Sequence, residues 1–148
     1  MNDYIEYAIM EAKKALAKGE VPVGAIIVKE NKIIGKSHNL KEVLNDPTAH
    51  AEILAIREAC NTINNWRLKG CKMYVTLEPC SMCASAIIQS RLSELYIGTF
   101  DPVAGACGSI VNITNNEYLK SNISIKWLYN DECSNIITNF FKSIRKNL

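Results

Sequence analysis

Near the start of the chain, apolar residues return at three- and four-residue intervals: Ile5, Ala8, Ile9, Ala12 and Leu16. That period predicts a helix over 2–18 with one buried face. Asn2 or Asp3 suits its N-terminus and Gly19 its end. The period then shortens. Val23 to Val28 is a β-rich run, Glu30-Asn31-Lys32 fits a tight turn, and Ile33 to His38 reads as the returning strand of a hairpin. A loop covers Asn39 to Pro47. Asp46-Pro47-Thr48 has the form of a helix start, with Asp46 as cap and Pro47 in the first turn. Ala51, Leu54, Ala55 and Ala59 carry that helix to about Asn61. Met73 to Leu77 is a third strand, broken by Pro79, and a helix runs from Ser81 to about Ser90. Leu92 to Gly98 gives a fourth strand, followed by a loop over Thr99 to Ser109. The pattern from Val111 to Leu119 is mixed, with a short helix expected around Asn116 to Lys120. Ser121 to Leu128 alternates through Ile123, Ile125 and Trp127 as a fifth strand. Asp131 to Lys146 closes the chain as a helix with Ile136, Ile137, Phe140, Phe141 and Ile144 on or near one face.

Helix, hairpin, helix, strand, helix, strand, crossover, strand, helix is the order of an α/β domain. It predicts a three-layer α/β/α fold around a mixed five-stranded sheet. A chain of 148 residues is the size of one domain, and no linker, repeat or low-complexity segment divides it. No apolar run is long enough to cross a bilayer, so no membrane partner is expected. Met1-Asn2-Asp3-Tyr4 lacks the basic and apolar regions of a signal peptide, which places the chain in the cytoplasm. The formal charge is +2, from 17 basic and 15 acidic residues, so any nucleic-acid surface must come from local clustering.

Composition leaves the chemistry open; two short stretches narrow it. Thr48-Ala49-His50-Ala51-Glu52 contains His-x-Glu, and Glu78-Pro79-Cys80-Ser81-Met82-Cys83 contains Pro-Cys-x-x-Cys. His50, Cys80 and Cys83 are borderline-to-soft donors that suit one Zn²⁺ per subunit. Three protein ligands leave a tetrahedral position open, as catalytic zinc requires. The ligands fall at the starts of the second and third helices, where the positive dipole end favours a thiolate. A redox Cys-x-x-Cys pair would account for neither His50 nor Glu52. A structural zinc would need a fourth protein ligand, and the only other histidine is His38. Cys60, Cys71, Cys107 and Cys133 read as small buried apolar residues.

Zinc lowers the pKa of bound water to roughly 7 and so provides hydroxide for attack on an electron-poor ring carbon bearing an amine. A carboxyl group must then protonate the ring nitrogen and the departing amine, and Glu52 is the candidate. Hydrolytic deamination is what such residues would perform. Spacing alone leaves cytosine, adenine and guanine open, and leaves a free base and a polynucleotide equally open.

His-x-Glu with Pro-Cys-x-x-Cys is the signature of zinc-dependent base deaminases. Further stretches extend the likeness: Glu20-Val21-Pro22-Val23-Gly24-Ala25, Asp46-Pro47-Thr48-Ala49-His50-Ala51-Glu52, Tyr74-Val75-Thr76-Leu77-Glu78-Pro79-Cys80, Asp131-Glu132-Cys133, and Phe140-Phe141 with Arg145. Over nearly its whole length the chain resembles the bacterial tRNA-specific adenosine deaminases of the cytidine-deaminase-like superfamily. The resemblance implies deamination of adenosine to inosine at the wobble position of a tRNA anticodon loop, by a homodimer. It implies His50, Cys80 and Cys83 as zinc ligands and Glu52 as proton shuttle. It implies Asn39 and Asp101 as substrate contacts. The C-terminal run Phe140 to Lys146 sets aromatic rings beside basic groups, Phe140 and Arg145 among them, a combination that suits stacking on unpaired bases and pairing with phosphates. Ordinary alternatives are a turn residue for Asn39, a turn or cap aspartate for Asp101, and a buried ring for at least one of Phe140 and Phe141. Leu40 stands where the family often has arginine, and Val103 where it often has lysine, so positive charge is reduced along the expected RNA path. The rivals are a guanine or cytosine deaminase of the same superfamily, acting on a free base or nucleoside, and a non-catalytic zinc-stabilised binding module.

Overall fold

A computed structural model describes residues 3–146. Helix α1 (Tyr4–Ala17) leads into a hairpin, β1 (Gly24–Lys29) and β2 (Lys32–His38). Then come α2 (Ala51–Ile63), β3 (Lys72–Leu77), α3 (Ser81–Gln89) and β4 (Glu94–Thr99). A small hairpin, β5 (Asn115–Asn116) and β6 (Ser121–Asn122), precedes β7 (Ser124–Trp127) and α4 (Asp131–Lys146). The main sheet has five strands in the order β2-β1-β3-β4-β7. The β2-β1-β3 half is antiparallel and β3-β4-β7 is parallel. The expected mixed sheet is therefore present.

Alternation along β1 assigns the two faces. Ala25 and Ile27 join Ala51, Ala55, Ala84 and Ile87 in one buried cluster, which seats α2 and α3. Ile26 and Val28 join Ile5, Ala8, Ile9 and Cys133 in the other, which seats α1 and α4. Two glycines bring helices onto the sheet. A Cβ at Gly24 would overlap the Ala8 carbonyl and come within 2.6 Å of the Ala12 nitrogen. A Cβ at Gly35 would lie 2.5 Å from the Ala55 carbonyl. The β1–β2 turn holds Glu30 and Asn31 at φ 49° and 64°, the left-handed pair that matches strand twist in a two-residue hairpin.

Three expectations need correction. The second helix begins at Ala51 rather than at Pro47. Asp46 Oδ1 accepts hydrogen bonds from both the Thr48 amide and the Thr48 hydroxyl, which closes a local turn in place of a helix cap. The short helix expected over Asn116 to Lys120 is a hairpin. Asn116 Oδ1 does accept from the Tyr118 and Leu119 amides, as a helix cap would, but Lys120 turns to φ 54° and returns the chain. The fifth strand starts at Ser124, because Ser121 and Asn122 belong to that hairpin. Of the two residues expected to cap α1, Asn2 lies outside the described residues, and Asp3 makes no side-chain cap bond.

Candidate active site

The site forms where two helices begin beside each other. His50 precedes α2 with an extended backbone (φ −77°, ψ 153°), and Cys80 precedes α3 in the same way (φ −73°, ψ 177°). Both hold N-cap positions without making a side-chain cap bond. They turn towards each other instead. His50 Nδ1 lies 3.7 Å from Cys80 Sγ and 3.5 Å from Cys83 Sγ. The three donor atoms lie within 4.8 Å of one another, a group that could hold a metal ion. Tetrahedral zinc, with bonds of about 2.3 Å to sulfur and about 2.05 Å to nitrogen, separates nitrogen and sulfur by about 3.6 Å. The two spacings bracket that value, so donor types and separations both fit.

The local charges are arranged around a thiolate. A hydrogen bond from Cys83, helped by the His50 ring, draws the Cys80 thiol down to about 4 against the cost of burial. The bond to Cys80 raises the His50 ring above its ordinary value. Cys83 moves strongly upward, through its bond to Cys80 and its burial. Glu52 sits in the first turn of α2 and is only 4% exposed. Burial pushes its carboxyl up to about 7. A carboxyl poised there can take up and release a proton near neutrality.

His50, Glu52 and Cys80 open onto a cavity of about 820 Å³, while Cys83 is fully buried. Val21, Asn39, Glu52, Phe100, Asp101 and Phe141 are among its lining residues, with Arg145 at the α4 side. Asn39 is buried; its Nδ2 donates to the Val21 carbonyl at 3.3 Å and its Oδ1 accepts from the Lys41 amide at 3.1 Å. Those bonds use one donor and one acceptor site of the amide, leaving one of each for a ligand. Asp101 Oδ1 accepts from the Val103 and Ala104 amides at 2.9 and 3.2 Å, so it shapes its own loop while lining the cavity. Arg145 also reaches the cavity wall. Phe140 does not. It is half-buried, and Phe141, edge-on to it at 5.4 Å between ring centroids, takes the wall position with Ile137 and Ile144.

Two further residues position the walls and are not singled out by the sequence pattern. Glu20, 1% exposed, accepts the Glu42 and Val43 amides at 3.0 and 2.8 Å, which pins the loop after Asn39. Glu78, 2% exposed, accepts the Asp101 and Cys107 amides at 2.9 Å each and the Ser109 amide at 3.1 Å, and also takes the Ser109 hydroxyl. It thereby gathers the 101–109 loop against the strand end that carries Cys80. Both glutamates lie close before a proline in motif stretches, yet nothing in the pattern marks a glutamate as buried. Burial and the nearby Glu78 charge push the Cys107 thiol up to about 12, which fits an inert buried residue. All six cysteines are free.

Known proteins resemble the chain in sequence and in fold. The family model of MafB19-like deaminases matches residues 1–145. The chain is 48% identical over 147 residues to a tRNA-specific adenosine deaminase of Aquifex aeolicus, covering 98% of this chain and 96% of that one. It is 43% identical over 144 residues to a tRNA-specific adenosine deaminase of Bacillus subtilis, covering 97% and 89%. It superposes at a TM-score of 0.86 and 41% identity on a structure from biochemical and structural studies of A-to-I editing by tRNA:A34 deaminases at the wobble position of transfer RNA. That match covers 90% of this chain and 97% of the other.

Proposed function

The chain belongs to the family of tRNA-specific adenosine deaminases, with its cytidine-deaminase-like α/β fold, and on that premise we propose that it converts adenosine to inosine at the wobble position of a tRNA anticodon. The observation that carries the reading is the His50–Cys80–Cys83 group beside the buried Glu52, with His50, Glu52 and Cys80 lining a cavity wide enough for an extruded nucleoside. Bound there, zinc would supply a water acidic enough to react near neutral pH. His50 and the two cysteines would hold the ion, one per subunit.

The chain's own residues do the rest. Glu52 moves protons: its carboxylate takes one from the attacking water and delivers it to ring nitrogen N1 of adenine as the bond to oxygen forms at C6, then takes the second from the new C6 hydroxyl and delivers it to the C6 amine, which leaves as ammonia as the C6–N bond breaks. One water is consumed and one ammonia released for each inosine. The Asn39 amide holds the target nucleoside through its spare donor and acceptor. Asp101 shapes the loop that closes the opposite wall. Phe141, rather than Phe140, offers a ring to an unpaired base, and Arg145 offers charge to a phosphate. We take the chain as one deaminase domain acting in the cytoplasm, and as a homodimer, the assembly that the resemblance implies. No helix among the described residues is long and apolar enough to cross a membrane.

The test is incubation of zinc-loaded protein with an anticodon stem-loop RNA that carries one unpaired adenosine, at the wobble position. Mass analysis of the nucleosides follows, with free adenosine, guanine and cytosine assayed in parallel. Inosine at that position, with the free compounds untouched, is expected. Turnover of a free base with unchanged RNA would overturn the substrate and leave the fold and the metal group standing.

A further inference from the structure

A second cleft lies beside the first, at the same edge of the sheet. It measures about 310 Å³ and is lined by Phe100, Cys107, Gly108, Ser109, Trp127 and Tyr129. Phe100 follows β4 and Trp127 ends β7, so the cleft sits at the carboxyl ends of neighbouring parallel strands, where open α/β sheets place ligands. Phe100 lines both this cleft and the catalytic cavity. The two spaces are therefore one ring apart.

Three of the residues that line the cleft are aromatic. Trp127 and Tyr129 stack at 6.4 Å between centroids and 23° between planes. Phe100 is 53% exposed and Tyr129 73% exposed. Tyr129 is also held at φ 48°, a left-handed conformation that a bulky residue rarely adopts. Flanking bonds from the Leu128 amide to the Ile97 carbonyl (2.9 Å) and from the Asn130 amide to the Gly98 carbonyl (2.7 Å) keep it there. The fold thus bears a backbone cost to keep a tyrosine on this rim, and such costs collect at binding sites. No charged residue lines the cleft. A phosphate would find no partner, whereas the flat face of a base would find three rings.

We propose that the Phe100–Trp127–Tyr129 cleft is a second base subsite, which stacks an unpaired nucleotide base next to the one seated in the catalytic cavity. The inference rests on the RNA reading above and extends it to a neighbour of the target nucleotide. Base–aromatic stacking sets the scale: losing one ring should weaken RNA binding by roughly 5- to 150-fold.

The test uses Tyr129→Gly and the conservative Tyr129→Phe in the full zinc-loaded chain, with the wobble-adenosine stem-loop. Tyr129→Gly should raise KM within that range, leave kcat unchanged, and leave the thermal midpoint unlowered because glycine relieves the left-handed strain. Tyr129→Phe should restore KM. Independently, a Trp66→Phe, Glu52→Gln protein retains Trp127 as its one tryptophan, and its emission should shift as unmodified stem-loop is added. An unchanged KM together with a silent Trp127 would overturn the subsite. So would slower sedimentation of Tyr129→Gly, which would make the cleft a seat for a second copy of the chain. If the wild-type protein makes no inosine in the RNA at all, the parent reading has failed rather than the subsite.

Discussion

Replacing Glu78 with glutamine changes almost no volume, yet it should loosen one whole wall of the active site. Glu78 Oε2 accepts from the Cys107 and Ser109 amides, and Oε1 accepts from the Asp101 amide and the Ser109 hydroxyl. An amide nitrogen in either oxygen's place points a donor at a backbone donor. The Ser109 hydroxyl can rotate to accommodate it, but a backbone N–H cannot. One buried N–H left without an acceptor costs about 1–3 kcal/mol, and the surviving bonds lose their ionic character, so a total near 3 kcal/mol follows. Against a whole-domain stability of about 5–15 kcal/mol, that is easily measured. Urea unfolding of wild type and Glu78→Gln gives the global loss. Hydrogen exchange at the Asp101, Cys107 and Ser109 amides shows whether the loop opens first. Because Phe100 to Ala104 also line the cavity, KM should rise as well. A loss below about 1 kcal/mol, with those three amides still protected, would refute the reasoning that Glu78 gathers the loop.

Other outcomes follow from the same geometry. Glu52→Gln should lower kcat by about 10²-fold or more while metal content by atomic emission stays at wild-type level. Cys80→Ala should lose the metal, and retained deamination in Glu52→Gln would refute the shuttle. Gly24→Ala drives a Cβ into the backbone of α1 and should cost about 1–3 kcal/mol in urea unfolding, since helix and strand must separate; a neutral result would mean α1 shifts freely. Burial alone would raise the Glu11 carboxyl, but Lys14 at 2.7 Å and His38 at 3.0 Å outweigh it and leave it below its ordinary 4.5. A lowered folded value gives stability that is present above pH 4.5 and is lost as pH falls through that lowered value. Glu11→Gln should therefore narrow its stability gap to wild type as the medium is acidified across that window, and a gap independent of pH would refute the ion-pair assignment.

That His50, Cys80 and Cys83 come together was legible in the sequence because motif spacing survives in one dimension: each half is short, and each sits at a helix start. The sheet was legible through its β-rich runs, such as Val23 to Val28, and through the alternation of Ile123, Ile125 and Trp127. Side-chain competition was not. Asp46 and Asn116 both look like helix caps, and both use their oxygens on amides two residues ahead, but the chain after each turns instead of coiling. Phe140 and Phe141 are neighbours on an amphipathic helix, and a periodicity argument cannot decide which of two adjacent rings faces a cavity formed by other elements. Glu20 and Glu78 were invisible for a deeper reason. A glutamate is normally a surface residue, and only the folded loops reveal the backbone donors that make burial tolerable.

His50 and Cys80 occupy the cap positions of α2 and α3, and neither caps. Each helix forgoes roughly 1 kcal/mol that a serine or aspartate would contribute there. An engineer seeking a hardier enzyme would find the usual helix-start remedies closed at the two positions where they look most needed. Thermal robustness has to be sought elsewhere, for instance at Asp3, whose carboxyl also leaves its helix uncapped but lies outside the catalytic cavity. With His50 and Cys80 as the proposed zinc ligands, durability is traded for turnover at two residues thirty positions apart.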